Sequence, residues 1–158
     1  MIKISRKADY AIFLLTCLAR TGRLMSAAEL TGLSGKSRFL VANLLKDCTK
    51  AGVLESVRGA NGGYRLARAA KDISLREILE VVEGPLQFVS CADSETGAPE
   101  KAENAPPDPA LCNLMQVCPA MGPMAVLHNR IIELLESLAL SELASHRSLA
   151  VARKVAGA

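Results

Sequence analysis

The sequence predicts a mainly α fold with a small β-hairpin wing, a winged helix-turn-helix followed by a C-terminal dimerisation helix. Three observations lead there. Three helix signals follow one another within the first fifty residues. The second and third are joined by a tight turn, Gly32-Leu33-Ser34-Gly35. Two β-prone segments then flank a glycine-rich link, and three helices followed by a hairpin is the order of a winged helix-turn-helix.

The first helix is expected to start after Ser5, a capping residue, because Ala8, Ala11, Ile12, Leu15, Leu18 and Ala19 recur at helical spacing up to Thr21-Gly22. Ser26-Ala27-Ala28-Glu29 is a capping box that starts a short second helix. A third helix is expected over about 37–50, with Leu40, Val41, Leu44, Leu45 and Cys48 facing the core and Gly52 at its end. Val53 to Arg58 and Tyr64-Arg65-Leu66 read as the two strands of the hairpin. Ser74-Leu75-Arg76-Glu77 is a second capping box, and Gly84-Pro85 stops the helix it opens. Residues 92–110, rich in Pro, Ala and acidic groups without apolar period, read as a surface loop. A long helix is expected after Pro123. In it Met124, Leu127, Ile131, Leu134 and Leu138 repeat three and four apart, a seam of the kind two helices share. A short helix follows Ser141. The expected organisation is therefore 1–84 as the winged helix-turn-helix, 85–122 as a cysteine-bearing loop, and 123–158 as dimerisation helix and tail.

Composition narrows the function. Only five of 158 residues are aromatic, so the stacking platforms of a single-strand reader are scarce. Residues 1–70 hold 12 Lys and Arg against 4 Asp and Glu, whereas residues 71–158 hold 7 against 12. A basic first half suggests a polyanionic partner. The apolar run from Ala11 to Ala19 is broken by Thr16, too short to cross a membrane, and lacks a signal-peptide cleavage pattern. A cytoplasmic protein without a membrane partner is expected. No general base, nucleotide loop or substrate signature points to an enzyme.

In a helix-turn-helix the second helix enters the major groove with its N-terminal residues leading. Here Lys36 and Arg38 can neutralise phosphates, Arg38 can also take guanine, and Ser37 can donate to a phosphate. Asn43 carries amide chemistry suited to adenine. The wing adds Arg58, Asn61 and Arg65, and a guanidinium at its tip can enter a narrow minor groove or hold a phosphate. Double-stranded DNA is the expected partner.

In a cytosolic chain, cysteines are more often ligands, redox thiols or core residues than disulfides. Cys17 and Cys48 fall on apolar helical periods and read as core. Cys91, Cys112 and Cys118 fall outside every strong period. Their spacing leaves open iron–sulfur ligation, zinc with a fourth ligand, a thiol–disulfide switch, or three unrelated thiols.

The opening Ile4-Ser5-Arg6-Lys7-Ala8-Asp9-Tyr10-Ala11, the stretch from Ala51 to Leu66 with its SVRGANGGYRL wing, the ISLREILEVVEGP element of 73–85 and Cys118-Pro119 resemble the bacterial IscR/NsrR/RirA/SUF-regulator family. The resemblance covers about residues 2–145. It implies a homodimeric winged-helix transcription regulator, expected to repress, with a cluster-sensing C-terminal half. Cluster-binding members carry three cysteines after the fourth helix, which Cys91, Cys112 and Cys118 match in order. The implied cofactor is an iron–sulfur cluster, [2Fe-2S] or [4Fe-4S]. The fourth ligand varies in that family. Asp9 sits where some members place an acidic ligand, and Met121 stands where others place a His; His128 lies further along. Some relatives lack a cluster and respond to small molecules or protein partners. A cluster-free or zinc-stabilised regulator or interaction module, answering to thiol redox state or a partner, is the alternative.

Overall fold

The computed structural model describes residues 4–59, 61–89 and 117–145. Within them the chain runs α1 (Arg6–Thr21), α2 (Ala27–Ser34), α3 (Arg38–Lys50), β1 (Leu54–Val57), β2 (Gly63–Leu66), a single 3-10 turn at Ala70–Asp72, α4 (Leu75–Glu83), α5 (Met121–Ser137) and α6 (Leu140–Ser145). This is the expected winged helix-turn-helix order.

Side-chain oxygens open the first four helices. Ser5, Ser26, Ser37 and Ser74 each accept from the backbone N–H three residues on, satisfying one of the donors a helix start leaves without a partner. At Ser26 the box is complete, because Glu29 also accepts from the Ser26 N–H at 2.7 Å; that bond holds the Glu29 carboxyl below its ordinary pKa. At Ser74 only half the box forms. The Glu77 carboxylate pairs with Arg68 instead, since a charged guanidinium is a stronger donor than a backbone amide.

The core is aliphatic. Ala8, Ala11, Leu14, Leu15, Cys17 and Leu18 of α1 meet Leu30, Val41, Leu44, Leu45, Ile78, Leu79 and Val82 from the next three helices. The two strands pair antiparallel, Leu54 opposite Leu66 and Val57 opposite Gly63. Met25, between α1 and α2, adds one more rung, with its N–H and C=O bonded to Tyr64 at 3.0 and 2.8 Å. A side chain on Gly63 would meet the Met25 carbonyl oxygen at 2.5 Å, so this backbone contact requires glycine.

Three expectations are corrected. Gly32 is inside α2, and the turn falls at Gly35, whose φ of +63° ends the helix. The long helix starts at Met121, with Pro123 in its first turn, where a missing N–H costs nothing. The seam divides. Leu138 is the C-cap of α5 and packs with Leu135 against the core, while Leu127 and Leu134 remain 48% and 58% exposed.

The chain then returns to its beginning. Leu75 N–H donates to the Leu138 carbonyl at 2.7 Å, and Leu140 N–H donates to the Ile73 carbonyl at 2.8 Å. Leu140 is fully buried, and Arg20 of α1 donates to the Ala144 carbonyl at 2.7 Å. Thus α6 closes the core of the N-terminal helices. Leu140→Ala should lower unfolding stability by about 2–5 kcal/mol, the usual range for emptying such a site. Urea denaturation followed by circular dichroism checks this, and a loss below 1 kcal/mol (on the order of a surface change) would contradict the packing.

Candidate nucleic-acid interface and cysteine region

The α2–α3 turn determines where the basic side chains point. Gly35 ends α2, the Lys36 N–H donates to Ser34 Oγ at 3.3 Å, and Ser37 caps α3. Ser37 Oγ accepts from the Leu40 N–H, which leaves the hydroxyl proton free to donate outward. Lys36 Nζ lies 4.4 Å from the centroid of the Tyr10 ring, a cation–π contact that ties the turn to α1. Tyr10 is a residue that periodicity does not single out, because it lies off the apolar stripe of its helix.

Burial of Val41, Leu44, Leu45 and Cys48 turns the opposite side of α3 outward. Arg38, Phe39, Ala42, Lys46 and Lys50 are exposed there, at helical spacing, and Asn43 is half-buried beside them. Asp47, the only acid on α3, is paired with Lys7 at 3.5 Å. The outward face therefore presents cations without a competing free carboxylate of its own helix. Lys46, Lys50 and Phe39 could have been assigned to this face from the sequence, since they fall between the apolar positions.

In the wing, the Gly62 N–H donates to the Gly59 carbonyl at 2.9 Å and closes the turn. A Cβ on Gly62 would come within 2.3 Å of the Val57 carbonyl oxygen, and Gly59 has φ +125°, so the tight wing depends on both glycines. Arg58 and Asn61 are exposed, and Arg58 makes no ion pair among the described residues. Arg65 is different. It lies directly across the ladder from Glu55 and is paired with it.

The cysteines divide by environment. Cys17 and Cys48 are buried in the core as expected, and burial raises both thiol pKa values, that of Cys48 to about 11. Cys118 is half-buried just ahead of α5, its carbonyl accepting from the Met121 N–H at 3.3 Å. Cys91 and Cys112 lie outside the described residues, as do the 92–110 segment and the chain beyond 145. Asp9 is exposed on the first turn of α1. His128 packs against Phe88, ring centroids 5.9 Å apart, and its Nδ1 is buried with no hydrogen-bond partner among the described residues. No group of three or more His, Cys, Asp or Glu suited to a metal forms among the described residues. Of the three expected cysteine ligands the described residues include Cys118, a half-buried thiol outside the core whose sulfur chemistry suits a thiophilic group, while Cys17 and Cys48 are buried in the core. No described helix is long and apolar enough to cross a membrane.

The geometry has counterparts in known proteins. The Rrf2 profile, described as an iron-dependent transcriptional regulator, matches residues 4–146. Protein aau3 of Rhizobium meliloti is 31% identical over 94 residues, 59% of this chain and 61% of that protein. The HTH-type transcriptional regulator rrf2-like of Rhodobacter capsulatus is 33% identical over 93 residues, 56% of this chain and 62% of that protein. The aligned stretch thus spans about three fifths of these relatives. Among solved structures, CymR, the global cysteine regulator of B. subtilis, superposes with a TM-score of 0.68 at 25% identity, covering 94% of this chain and all of that one. T. potens IscR superposes with a TM-score of 0.61 at 24% identity over 93% of both chains, a likeness of fold.

Thiol alkylation of the native protein at pH 8 should modify Cys118 well before Cys17 or Cys48, because only thiolates react and both core thiols stay protonated at that pH. Both should become reactive on unfolding. Peptide mass mapping reads the order, and early labelling of Cys48 would contradict its burial.

Proposed function

The chain belongs to the Rrf2 family of transcription regulators, which are not enzymes, and from that premise we propose a homodimeric repressor of double-stranded DNA whose affinity responds to an iron–sulfur cluster on Cys91, Cys112 and Cys118. The observation that carries the DNA half is the outward face of α3, the second helix of the helix-turn-helix, where Arg38, Lys46 and Lys50 are exposed, with Lys36 exposed in the turn before it. In this reading Lys36 and Lys46 neutralise phosphates, the Ser37 hydroxyl donates to one at the helix start, and Arg38 and Asn43 reach base edges. Arg58 and Asn61 follow the backbone or the minor groove from the wing. Arg65 contributes once a phosphate displaces Glu55. Residues 1–84, with α6 packed into their core, act as the DNA-binding unit, 85–122 as the cluster-bearing loop and α5 as the dimerising helix of 123–158, in a cytoplasmic protein.

The cysteine half is supported by the family's iron dependence, by the accessible Cys118 thiol, and by the exclusion of Cys17 and Cys48. When bound, the cluster supplies a link between the three cysteines that is sensitive to iron and to oxidants. Asp9 is the candidate fourth ligand, its carboxylate exposed on α1. The chain's own residues carry the consequence to the DNA face. Cys118 precedes α5, α5 packs on α4 with Arg76 and Glu136 paired at 3.3 Å on the surface, and α1 meets α4 through Lys7 and the Val82 carbonyl at 3.2 Å and α3 through Lys7 and Asp47. Switching from mostly bound to mostly free requires about 5 kcal/mol of differential affinity. Misaligning one bidentate base contact per subunit, at about 1–3 kcal/mol each, together with lost phosphate contacts supplies that difference. The likeness to CymR, a cysteine regulator, favours a second reading in which the same thiols respond to redox state without a cluster.

Anaerobically purified protein should be brown and contain iron and sulfide, and Cys118→Ala should remove the colour while leaving the circular dichroism unchanged. Loaded and cluster-free protein should differ in DNA affinity at fixed salt. A colourless protein that binds DNA only in one thiol oxidation state would replace the cluster reading with the second. Leu134→Glu places a charge on the exposed stripe of α5 that Leu127 and Val126 share. It should convert the dimer to a monomer by sedimentation and weaken operator binding by at least about tenfold, given the loss of the paired half-site. An unchanged dimer would move the interface elsewhere.

A further inference from the structure

Phe39 is 78% exposed on the first turn of α3. Its neighbours Leu40 and Val41 turn inward, so its exposure follows from the helical period that buries them. Ala42, one turn on, is exposed on the same side, and together they form a small apolar surface ringed by Lys36, Arg38 and Lys46. That ring selects the partner. A second copy of this face would be repelled by it, whereas a polyanion is attracted. A duplex presents one compact apolar group to a helix in its major groove, the C5-methyl of thymine.

We infer that Phe39, with Ala42, is a specificity-determining contact that packs against thymine C5-methyl groups in the major groove. This rests on the DNA-binding reading above and adds a base preference to it. The cations hold the backbone on either side, and removing the Phe39 ring and the methyl from water together favours thymine over cytosine or uracil at that position. The contact is neutral, so it contributes to sequence preference with no change in the salt dependence that the phosphates impose.

The test uses the full-length protein and duplexes that it selects from a random pool. Each thymine of the selected site is replaced singly by deoxyuracil, which removes only the methyl. At one or two positions per half-site, affinity should fall about fourfold, the value of burying one methyl-sized group. Phe39→Ala should bind the thymine and uracil duplexes equally, with melting temperature and salt slope unchanged; Phe39→Leu should retain part of the preference. Equal binding of wild-type protein to every uracil duplex, or undiminished methyl sensitivity in Phe39→Ala, overturns the inference and leaves DNA binding intact. Failure to enrich any duplex sequence would overturn sequence-specific DNA binding itself, and the inference with it.

Discussion

Burial of α1 is the constraint on which the rest of the structure depends. Its apolar side is taken up by neighbours from distant parts of the chain: α2, β2 and α4 within residues 27–83 and α6 from the last described residues. Alanines at 8 and 11 let those neighbours approach closely, and Leu14, Leu15 and Leu18 fill the space behind them. With only three phenylalanines and two tyrosines in the chain, aliphatic side chains must close this core through the number of packed elements. Each such element is held against α1 by shape as much as by its own propensity, and α6, six residues long, has no independent stability at that length.

Two consequences reach the functional surface. Because α3 buries four side chains in this core, its opposite face is fixed outward, and the capping serine, the cations and Phe39 arrive there together. Lys7 and Tyr10, one turn apart on α1, reach α3 and the turn before it, so the helix that anchors the core also sets the position of the outward face. The wing is held in the same way, through the rung between Met25 and Tyr64. At the other end, α5 packs on the core through one side and exposes Leu127 and Leu134 on the other. α5 contacts α4, and the 138–140 crossing bonds the end of α5 to residues 73–75.

The sequence was legible where a signal is local. Serine caps, the glycines of the wing and the 3.6-residue apolar period each act over a few residues, and they placed α1, α3, α4 and the hairpin close to where they lie. Errors came where a local signal competed with another. Gly32 reads locally as a turn, yet Leu30 and Leu33 continue the helix around it, and the helix accepts one glycine at a cost of about 1 kcal/mol. Pro123 reads as the boundary of a helix that in fact begins at Met121, because a first-turn proline marks a start only to within a few residues.

By itself the sequence determined the winged helix-turn-helix, its basic face and the placement of Cys17 and Cys48 in the core, since periodicity and charge are properties of the linear chain. Only the tertiary structure decided that Glu77 serves Arg68 and not its own helix start, that Arg65 is held by Glu55, and that the seam of α5 is shared between the chain's own core and an open stripe. It also decided that Leu140 completes the core built by residues 8–82. Each of these depends on which groups meet across a long sequence separation, and a local pattern says which side of an element is apolar without saying what will cover it.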